Sequence, residues 1–231
     1  MTGIRPDTPA MNLVVLISGD GSNLQAIIDA IQMGTIPARI AAVISNRADV
    51  FGLSRAKQAN INTHTILHTD YPDRDSFDQA LMKTIDTYAP GLVVLAGFMR
   101  ILTETFVEHY QGRLMNIHPS LLPKFKGLNT HQRAIEAGEF EHGASVHFVT
   151  NELDGGPLII QAPVPLINGD TVETLAQRVH QVEHLIYPLA IQWFAEQRLS
   201  LRDRQVYLDA VPMQPNQKTY HTEIQGESAQ T

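Results

Sequence analysis

Residues 12–25 read NLVVLISGDGSNLQ, and this stretch decides the fold. The apolar run at 12–17 is typical of a strand buried on both faces, and it breaks abruptly at the Ser-Gly-Asp-Gly sequence of 18–21. From 23 to 33 the apolar residues follow helical spacing. Strand, glycine-containing loop and helix in this order begin a right-handed crossover unit, which predicts an α/β fold with a parallel sheet.

The rest of the chain continues this alternation and then changes it. Two late strands are separated only by the turn-rich residues 151–157, too short a connection for a crossover helix. We therefore predict a mixed, mainly parallel, open twisted sheet with helices on both faces, a Rossmann-like arrangement whose late strands are antiparallel. The predicted strands are 12–17, 40–45, 63–67, 92–96, 114–117, 144–149 and 158–165, and the predicted helices are 23–33, 51–59, 74–88, 104–110 and 172–196.

Composition narrows the possible functions. The 231 residues suffice for one α/β domain to bury a core, and the absence of cysteine excludes disulfides, cysteine-rich zinc sites and a thioester intermediate. A formal charge of −7 argues against nucleic acid or an anionic membrane as the main partner and leaves small molecules or proteins. Without a signal peptide or an apolar run of ~20 residues, we expect a cytoplasmic protein.

The chain is predicted to hold one catalytic domain, at residues 11–213. Residues 1–10, which include Pro6 and Pro9, are expected to form a disordered extension. The polar residues 214–231 are expected to form a flexible tail.

The loop at residues 18–25 is the first candidate binding element. Its glycines let the backbone approach a ligand, and the free amides of the following helix attract an anion. It lacks the Gly-Lys-Ser/Thr ending of a P-loop and the third glycine of a dinucleotide fingerprint, which favours a phosphomonoester over a nucleotide. An ordinary turn in which Ser22 or Asn23 caps the helix is the alternative.

Polar residues at the end of the strand 114–117 form the second candidate. Alternation along an extended backbone places Asn116 and His118 on the same side, at the sheet edge where ligands of open α/β folds bind. Asp154, in the Asp-Gly-Gly-Pro sequence of 154–157, could orient His118 for acid–base catalysis. The alternatives are a strand-end histidine held by a backbone carbonyl and an ordinary hairpin turn.

Two other patterns give weaker signals. His180, Glu183 and His184 match the His-x-x-Glu-His pattern of zinc peptidases, but a catalytic zinc needs a third ligand and an open cleft, so we predict no metal site. Residues 97–102 (GFMRIL) follow a predicted strand and form either the wall of a pocket for a flat apolar ligand or part of the core. Among the scattered histidines, His147 alone is directed toward the predicted pocket.

Four segments together resemble the formyltransferase family, and within it the phosphoribosylglycinamide formyltransferases of purine synthesis. They are 17–25 (ISGDGSNLQ), 96–102 (AGFMRIL), 116–123 (NIHPSLLP) and 153–157 (LDGGP). Each segment alone is a moderate signal, but four in the same order are a strong one. The resemblance extends from about Met11 to Arg198.

The resemblance implies a donor, 10-formyltetrahydrofolate, used as a co-substrate, and an acceptor, phosphoribosylglycinamide, with no metal. It implies that Asn116, His118 and Asp154 are catalytic. The acceptor would be bound by Gly21, Ser22, Asn23, Leu24, Gln25 and Glu183, and the folate by Arg74, Met99, Arg100, Ile101, Leu102, Asn116 and Asp154, with the rest of the 151–154 loop.

Three positions differ from the residues that are frequent in the formyltransferase motifs. Asp20 stands where a neutral serine or asparagine is more frequent, and Asn129 stands where a histidine is common, which puts phosphate affinity in doubt. Lys126 replaces a proline. We expect Lys124 and Lys126 to restore part of the positive charge near the anion.

Three other functions remain open. A formyltetrahydrofolate hydrolase would usually carry an N-terminal regulatory domain, for which residues 1–10 are too short, and a methionyl-tRNA formyltransferase would add a basic C-terminal domain. A catalytically silent folate- or phosphosugar-binding protein could keep the same pocket. The oligomeric state is expected to be a monomer or a homodimer.

Overall fold

The computed structural model describes residues 10–213 together with 219 and 220. Its helices are α1 (Ser22–Gln32), α2 (Phe51–Gln58), α3 (Arg74–Asp86), α4 (Glu104–His109), α5 (Thr130–Glu136) and α6 (Val172–Ala195), with a short 3-10 turn at His68–Asp70. Its strands are β1 (Met11–Ile17), β2 (Ala38–Ser45), β3 (Asn62–Thr65), β4 (Leu92–Leu95), β5 (Leu114–His118), β6 (Glu141–Phe148), β7 (Leu158–Pro165), β8 (Leu199–Arg202), β9 (Gln205–Leu208) and β10 (Val211–Pro212).

The main sheet has seven strands in the order β3-β2-β1-β4-β5-β6-β7. Neighbouring strands among β1 to β5 pair in parallel, whereas β6 pairs antiparallel with both β5 and β7. The prediction of a mixed, mainly parallel sheet with antiparallel late strands is confirmed. Because β6 alone is reversed in this sheet, β7 again runs in the direction of β5.

The side chains of β1 alternate between two cores. Leu13, Val15 and Ile17 pack with residues of α1 and α6, whereas Val14 and Leu16 pack with residues of α3 and α4 on the other face. All five side chains are fully buried. Helices therefore cover both faces, as the continuous apolar run predicted.

The long helix α6 is anchored to the main sheet by a capped start and by a buried tyrosine. A capping box at Thr171 and Thr174 fixes its start. Farther along, the hydroxyl of the fully buried Tyr187 lies 2.9 Å from the carbonyl oxygen of Leu95, the last residue of β4, and 3.0 Å from that of Met115 in β5. Glu183 lies one helical turn before this anchor, which sets its depth beside the sheet.

The loops after β1, β2 and β4 meet where the strand order reverses, the position at which open α/β sheets bind ligands. The Ser18 amide donates to the Gly97 carbonyl at 3.1 Å, and the Ser18 hydroxyl accepts from the Met99 amide at 2.7 Å. The same hydroxyl donates to Asn46 Oδ1 at 2.6 Å. Residues 18–25 are called the anion loop, and residues 99–102 the folate wall. The buried Ser18 thus joins the anion loop to the folate wall.

Several elements were not predicted from the sequence. They are the seven-residue helix α5 and the separate antiparallel sheet β10-β9-β8. The turns of that small sheet use positive-φ pairs, Asp203-Arg204 and Asp209-Ala210, instead of the Asn-Gly or Asp-Gly pairs that would signal a hairpin.

The chain ends lie mostly outside the described residues, including the expected extension at 1–9 and the tail at 214–218 and 221–231. Thr219 forms a parallel bridge with Gln161 of β7. Among the residues described, no helix is long and apolar enough to cross a membrane.

Candidate active site

The structure brings Asn116, His118 and Asp154 together at the end of β5. Asn116 and His118 belong to β5, and Asp154 lies in the loop between β6 and β7. His118 Nδ1 is 3.4 Å from Asp154 Oδ2, and both side chains are more than nine-tenths buried. His118 Nε2 donates to the Phe125 carbonyl at 3.0 Å. Both ring nitrogens of His118 therefore face acceptors, an arrangement that suits the doubly protonated ring.

Asp154 is held by backbone geometry as well as by hydrogen bonding. Its φ of 46° is left-handed, and the Gly127 amide donates to its Oδ2 at 2.9 Å. A Cβ at Gly156 would lie 1.8 Å from the Phe148 carbonyl oxygen, so this position requires glycine. The Asp-Gly-Gly sequence is a turn, and the turn aims its carboxylate at the histidine.

His147, which the sequence analysis directed toward the pocket without giving it a role, belongs to this cluster and lines the cavity beside it. It lies opposite Asn116 in the β5–β6 pairing and is 2% exposed. Its Nδ1 donates to the Phe148 carbonyl at 2.9 Å, and its Nε2 lies 3.2 Å from Asn116 Nδ2 and 3.9 Å from Asp154 Oδ1. Burial lowers the pKa of His147. Its place opposite Asn116 depends on the register between β5 and β6.

Two recesses meet at this cluster. A cavity of about 150 Å³ lies between β4, α4 and the 149–154 loop, and a larger cleft of about 1120 Å³ runs past β5 to the start of α5. Both are lined by Phe98, Arg100, Ile101, Asn116, Leu153 and Asp154. Of the other predicted folate residues, Leu102 lines the cavity, and Arg74 and Met99 line the cleft.

The walls of these recesses suit a ligand that is both apolar and polar. Met99 and Ile101 are each 61% exposed although they are large and apolar. Arg100 Nε and Thr150 Oγ1 are buried without a hydrogen-bond partner among the described residues. Because buried polar atoms are normally paired, these two atoms favour a ligand with polar edges in the cavity.

The anion loop begins α1 without a side-chain cap. Gly21 is the N-cap with a φ of 78°, so the alternative in which Ser22 or Asn23 caps the helix is wrong. A Cβ at Gly21 would lie 2.7 Å from the Gly52 Cα, which excludes any other residue without rearrangement. The amides of the first turn are thus left to bind a ligand.

Glu183 faces this helix start from α6. Its Oε2 accepts from Asn23 Nδ2 at 2.9 Å, and burial raises the pKa of Glu183. Asn23 Oδ1 is a further buried atom without a partner in the described part of the chain. The His180 and His184 rings stack, with centroids 6.4 Å apart, but no group of three or more metal-ligating side chains occurs in the residues described.

The charges that departed from the family pattern are paired within the protein. Arg55 Nη2 lies 3.1 Å from Asp20 Oδ1, and Arg55 Nε donates to the Asp20 carbonyl at 3.0 Å. Lys124 pairs with Glu139 at 2.7 Å and Lys126 with Glu152 at 2.6 Å. Both amines are engaged by carboxylates, which offsets their charge, and a contribution of these lysines to anion binding stays a prediction. Asn129 lines the cleft as the left-handed N-cap of α5.

Comparisons with known proteins agree on one family. The profile of a family described as formyl transferase matches residues 11–191. The chain is 57% identical to phosphoribosylglycinamide formyltransferase of Escherichia coli over 89% of this chain and 97% of that protein, and 52% identical to that of Haemophilus influenzae over 85% and 93%. A solved structure of phosphoribosylglycinamide formyltransferase from Coxiella burnetii, 57% identical, superposes with a TM-score of 0.88 over 92% of this chain and all of that one.

Proposed function

The chain belongs to the formyl transferase family, and from that premise we propose that Asn116, His118 and Asp154 carry out its reaction. The protein transfers the formyl group of 10-formyltetrahydrofolate to the amine of phosphoribosylglycinamide, a step of purine biosynthesis. The observation that carries the residue assignment is the 3.4 Å approach of His118 to Asp154 at the junction of the cavity and the cleft.

The transfer begins when the acceptor amine attacks the formyl carbon. The carbonyl oxygen then becomes an oxyanion, which needs donors placed where the charge develops. The Asn116 amide nitrogen supplies one donor, and the protonated His118 ring supplies the other. Both His118 N–H groups face protein acceptors, so the oxyanion would share Nδ1–H, whose 3.4 Å contact with Asp154 is the longer of the two. Both side chains reach the junction from β5, so the oxyanion would form next to two fixed N–H groups.

A proton must leave the attacking amine and reach the folate nitrogen that departs. The protonated His118 gives its proton to the departing folate nitrogen and then takes up the proton that the acceptor amine releases, while Asp154 keeps the ring oriented and stabilises its charge. The formyl group passes directly between the substrates without an acyl-enzyme, in agreement with the absence of cysteine.

The two substrates occupy opposite sides of the reacting centre. The phosphate of the acceptor binds the amides of Gly21, Ser22, Asn23 and Leu24, and Glu183 binds its sugar or glycinamide part. Gln25 would contribute its side chain, because its amide donates to the Gly21 carbonyl at 2.9 Å. The folate is held by the wall from Met99 to Leu102, with Arg74 in the cleft. The unpaired Arg100 Nε, Thr150 Oγ1 and Asn23 Oδ1 support a polar ligand on each side.

One assay separates this function from its rivals. The purified protein is mixed with 10-formyltetrahydrofolate, and release of tetrahydrofolate is followed without acceptor, with phosphoribosylglycinamide and with methionyl-tRNA. Release that depends on the acceptor is expected. Equal release without acceptor would identify a hydrolase, release that requires methionyl-tRNA would identify a tRNA formyltransferase, and folate binding without release would identify a silent binding protein.

The oligomeric state and location stay predictions. We expect a monomer or a homodimer in the cytoplasm. Light scattering coupled to size-exclusion chromatography distinguishes the two assemblies.

A further inference from the structure

His147 is a buried histidine whose ring nitrogens both have defined partners. Nδ1 lies 2.9 Å from the Phe148 carbonyl oxygen, which can only accept, so Nδ1 carries a hydrogen. A neutral imidazole carries one N–H, and Nε2 is then an acceptor. The charged and titratable groups facing the ring are Asp154, His118 and Lys126, and burial outweighs the nearby carboxylate in favouring the neutral ring.

This tautomer fixes the orientation of Asn116. The Asn116 nitrogen Nδ2 lies 3.2 Å from His147 Nε2 and donates one of its two hydrogens there. If the carboxamide flipped, its oxygen would face the Nε2 lone pair, and two acceptors would repel each other. The second Nδ2 hydrogen remains available at the junction of cavity and cleft, both of which Asn116 lines.

The same tautomer also keeps Asp154 for His118. An Nε2–H on His147 would point toward a carboxylate oxygen only 3.9 Å away and would compete with His118 for it. With Nε2 unprotonated, this competition does not arise.

Resting on the function proposed above, we propose that His147 is a positioning residue whose unprotonated Nε2 holds the Asn116 carboxamide with its nitrogen, not its oxygen, facing the developing oxyanion. His147 acts through Asn116 and does not itself touch the substrate.

A double-mutant cycle tests this role. His147→Phe keeps a ring of similar size but removes the acceptor, and we expect kcat to fall about 10-fold with both KM values within about 2-fold of wild type. In an Asn116→Ala background the same change should slow the enzyme by less than about 2-fold, because nothing is left to position. His147→Gln, which offers an amide oxygen as acceptor, should recover part of the loss.

The outcomes separate this inference from the function on which it rests. Wild-type turnover by Asn116→Ala would overturn the catalytic assignment itself. A slow Asn116→Ala enzyme that His147→Phe slows by the same factor as it slows wild type would overturn only the positioning role, as would unchanged kcat in His147→Phe.

An experiment on the unaltered chain does not depend on the folding of a variant. Nitrogen NMR of protein labelled at histidine reports which ring nitrogen carries the proton. We expect His147 to be protonated at Nδ1 and bare at Nε2 near neutral pH. A His147 ring protonated at Nε2 would overturn the proposal, whatever the variants do.

Discussion

The reacting centre and the anion loop lie on one edge of the same sheet but are built in opposite ways. At the centre, His118, His147 and Asp154 are nearly inaccessible, and each ring nitrogen has one defined neighbour. At the loop, backbone amides begin the helix without a side-chain cap, and the adjacent Asp20 carboxylate is 63% exposed. A buried network is sensitive to loss of one partner, whereas an exposed ion pair adjusts at little cost. We therefore expect changes at the centre to act on kcat and changes around the loop to act on KM.

The largest effect is expected from removing a donor to the oxyanion. Asn116→Ala and His118→Ala should each lower kcat by about 100-fold or more, with little change in the KM for folate. Steady-state kinetics measures both constants, and a thermal melt serves as the control for folding. A folded variant that turns over at the wild-type rate would remove that residue from the mechanism.

Asp154→Asn should have a comparable or smaller effect, a loss of about 10-fold to 100-fold in kcat. The amide keeps the shape of the side chain and can still accept from the Gly127 amide, but it no longer carries the charge that stabilises a protonated His118. The pH–rate profile should therefore shift. A profile that coincides with that of the wild type would exclude Asp154 as the partner of His118.

The contrast between the two regions also explains what the sequence could predict. The apolar run 12–17 predicted a buried parallel strand correctly, because helices cover both faces of that strand. Alternation along β5 predicted that Asn116 and His118 lie on the same side of the strand. Elements held together by distant contacts gave weaker signals. The strands of the small sheet have four residues or fewer, and their turns use Asp203-Arg204 and Asp209-Ala210.

Within the site, neighbours on one strand were easier to predict than neighbours on two different strands, because alternation along a strand is visible in the sequence and the register between strands is not. His147 stands opposite Asn116 only because β6 pairs with β5 in one register, which a single sequence does not define. The pairing of Arg55 with Asp20 likewise joins α2 to the loop after β1, 35 positions apart. The doubt about Asp20 arose because this partner was not visible in the sequence.

Glu183 shares features of both regions. It is buried like the reacting centre, but it faces the start of α1, where the acceptor is proposed to bind. Glu183→Gln should raise the KM for the acceptor about 10-fold with a smaller change in kcat, as expected for loss of a charge-assisted hydrogen bond. Burial raises the pKa of Glu183 above its unfolded value. The protonated form of Glu183 is therefore favoured in the folded protein. Its contribution to the free energy of unfolding is full below the unfolded pKa and is lost as the pH rises through the raised, folded pKa.

Melting temperatures measured as the pH rises from 4.5, the ordinary pKa of this carboxyl group, test the second part of this prediction. The Gln variant has no carboxylate to ionise, so its melting temperature should fall less than that of wild type as the pH rises. An equal fall in both proteins would contradict the role of Glu183 burial.

Ser18 connects the two regions, and its loss should have a moderate effect. Ser18→Ala leaves the Met99 amide without its acceptor at 2.7 Å and should raise the KM for folate about 5-fold, with a smaller change for the acceptor. Thr84→Ala is a matched control, because within the described part of the chain its hydroxyl bonds only the Ala80 carbonyl of α3. If both variants change the folate KM equally, the Ser18 link does not position the wall.

The smallest effect is expected at Asp20, whose charge Arg55 already offsets. Asp20→Asn alone should lower the acceptor KM by about 3-fold or less, since the carboxylate is exposed, screened and paired. Arg55→Ala should raise that KM by exposing the bound phosphate to an unpaired carboxylate, and Asp20→Asn added to Arg55→Ala should then recover most of the loss. If the double variant binds the acceptor as weakly as Arg55→Ala alone, Arg55 contacts the phosphate itself. The anion loop would then bind its ligand through a side chain as well as through backbone amides. In that respect it would resemble the reacting centre more than the exposed Asp20–Arg55 pair indicates.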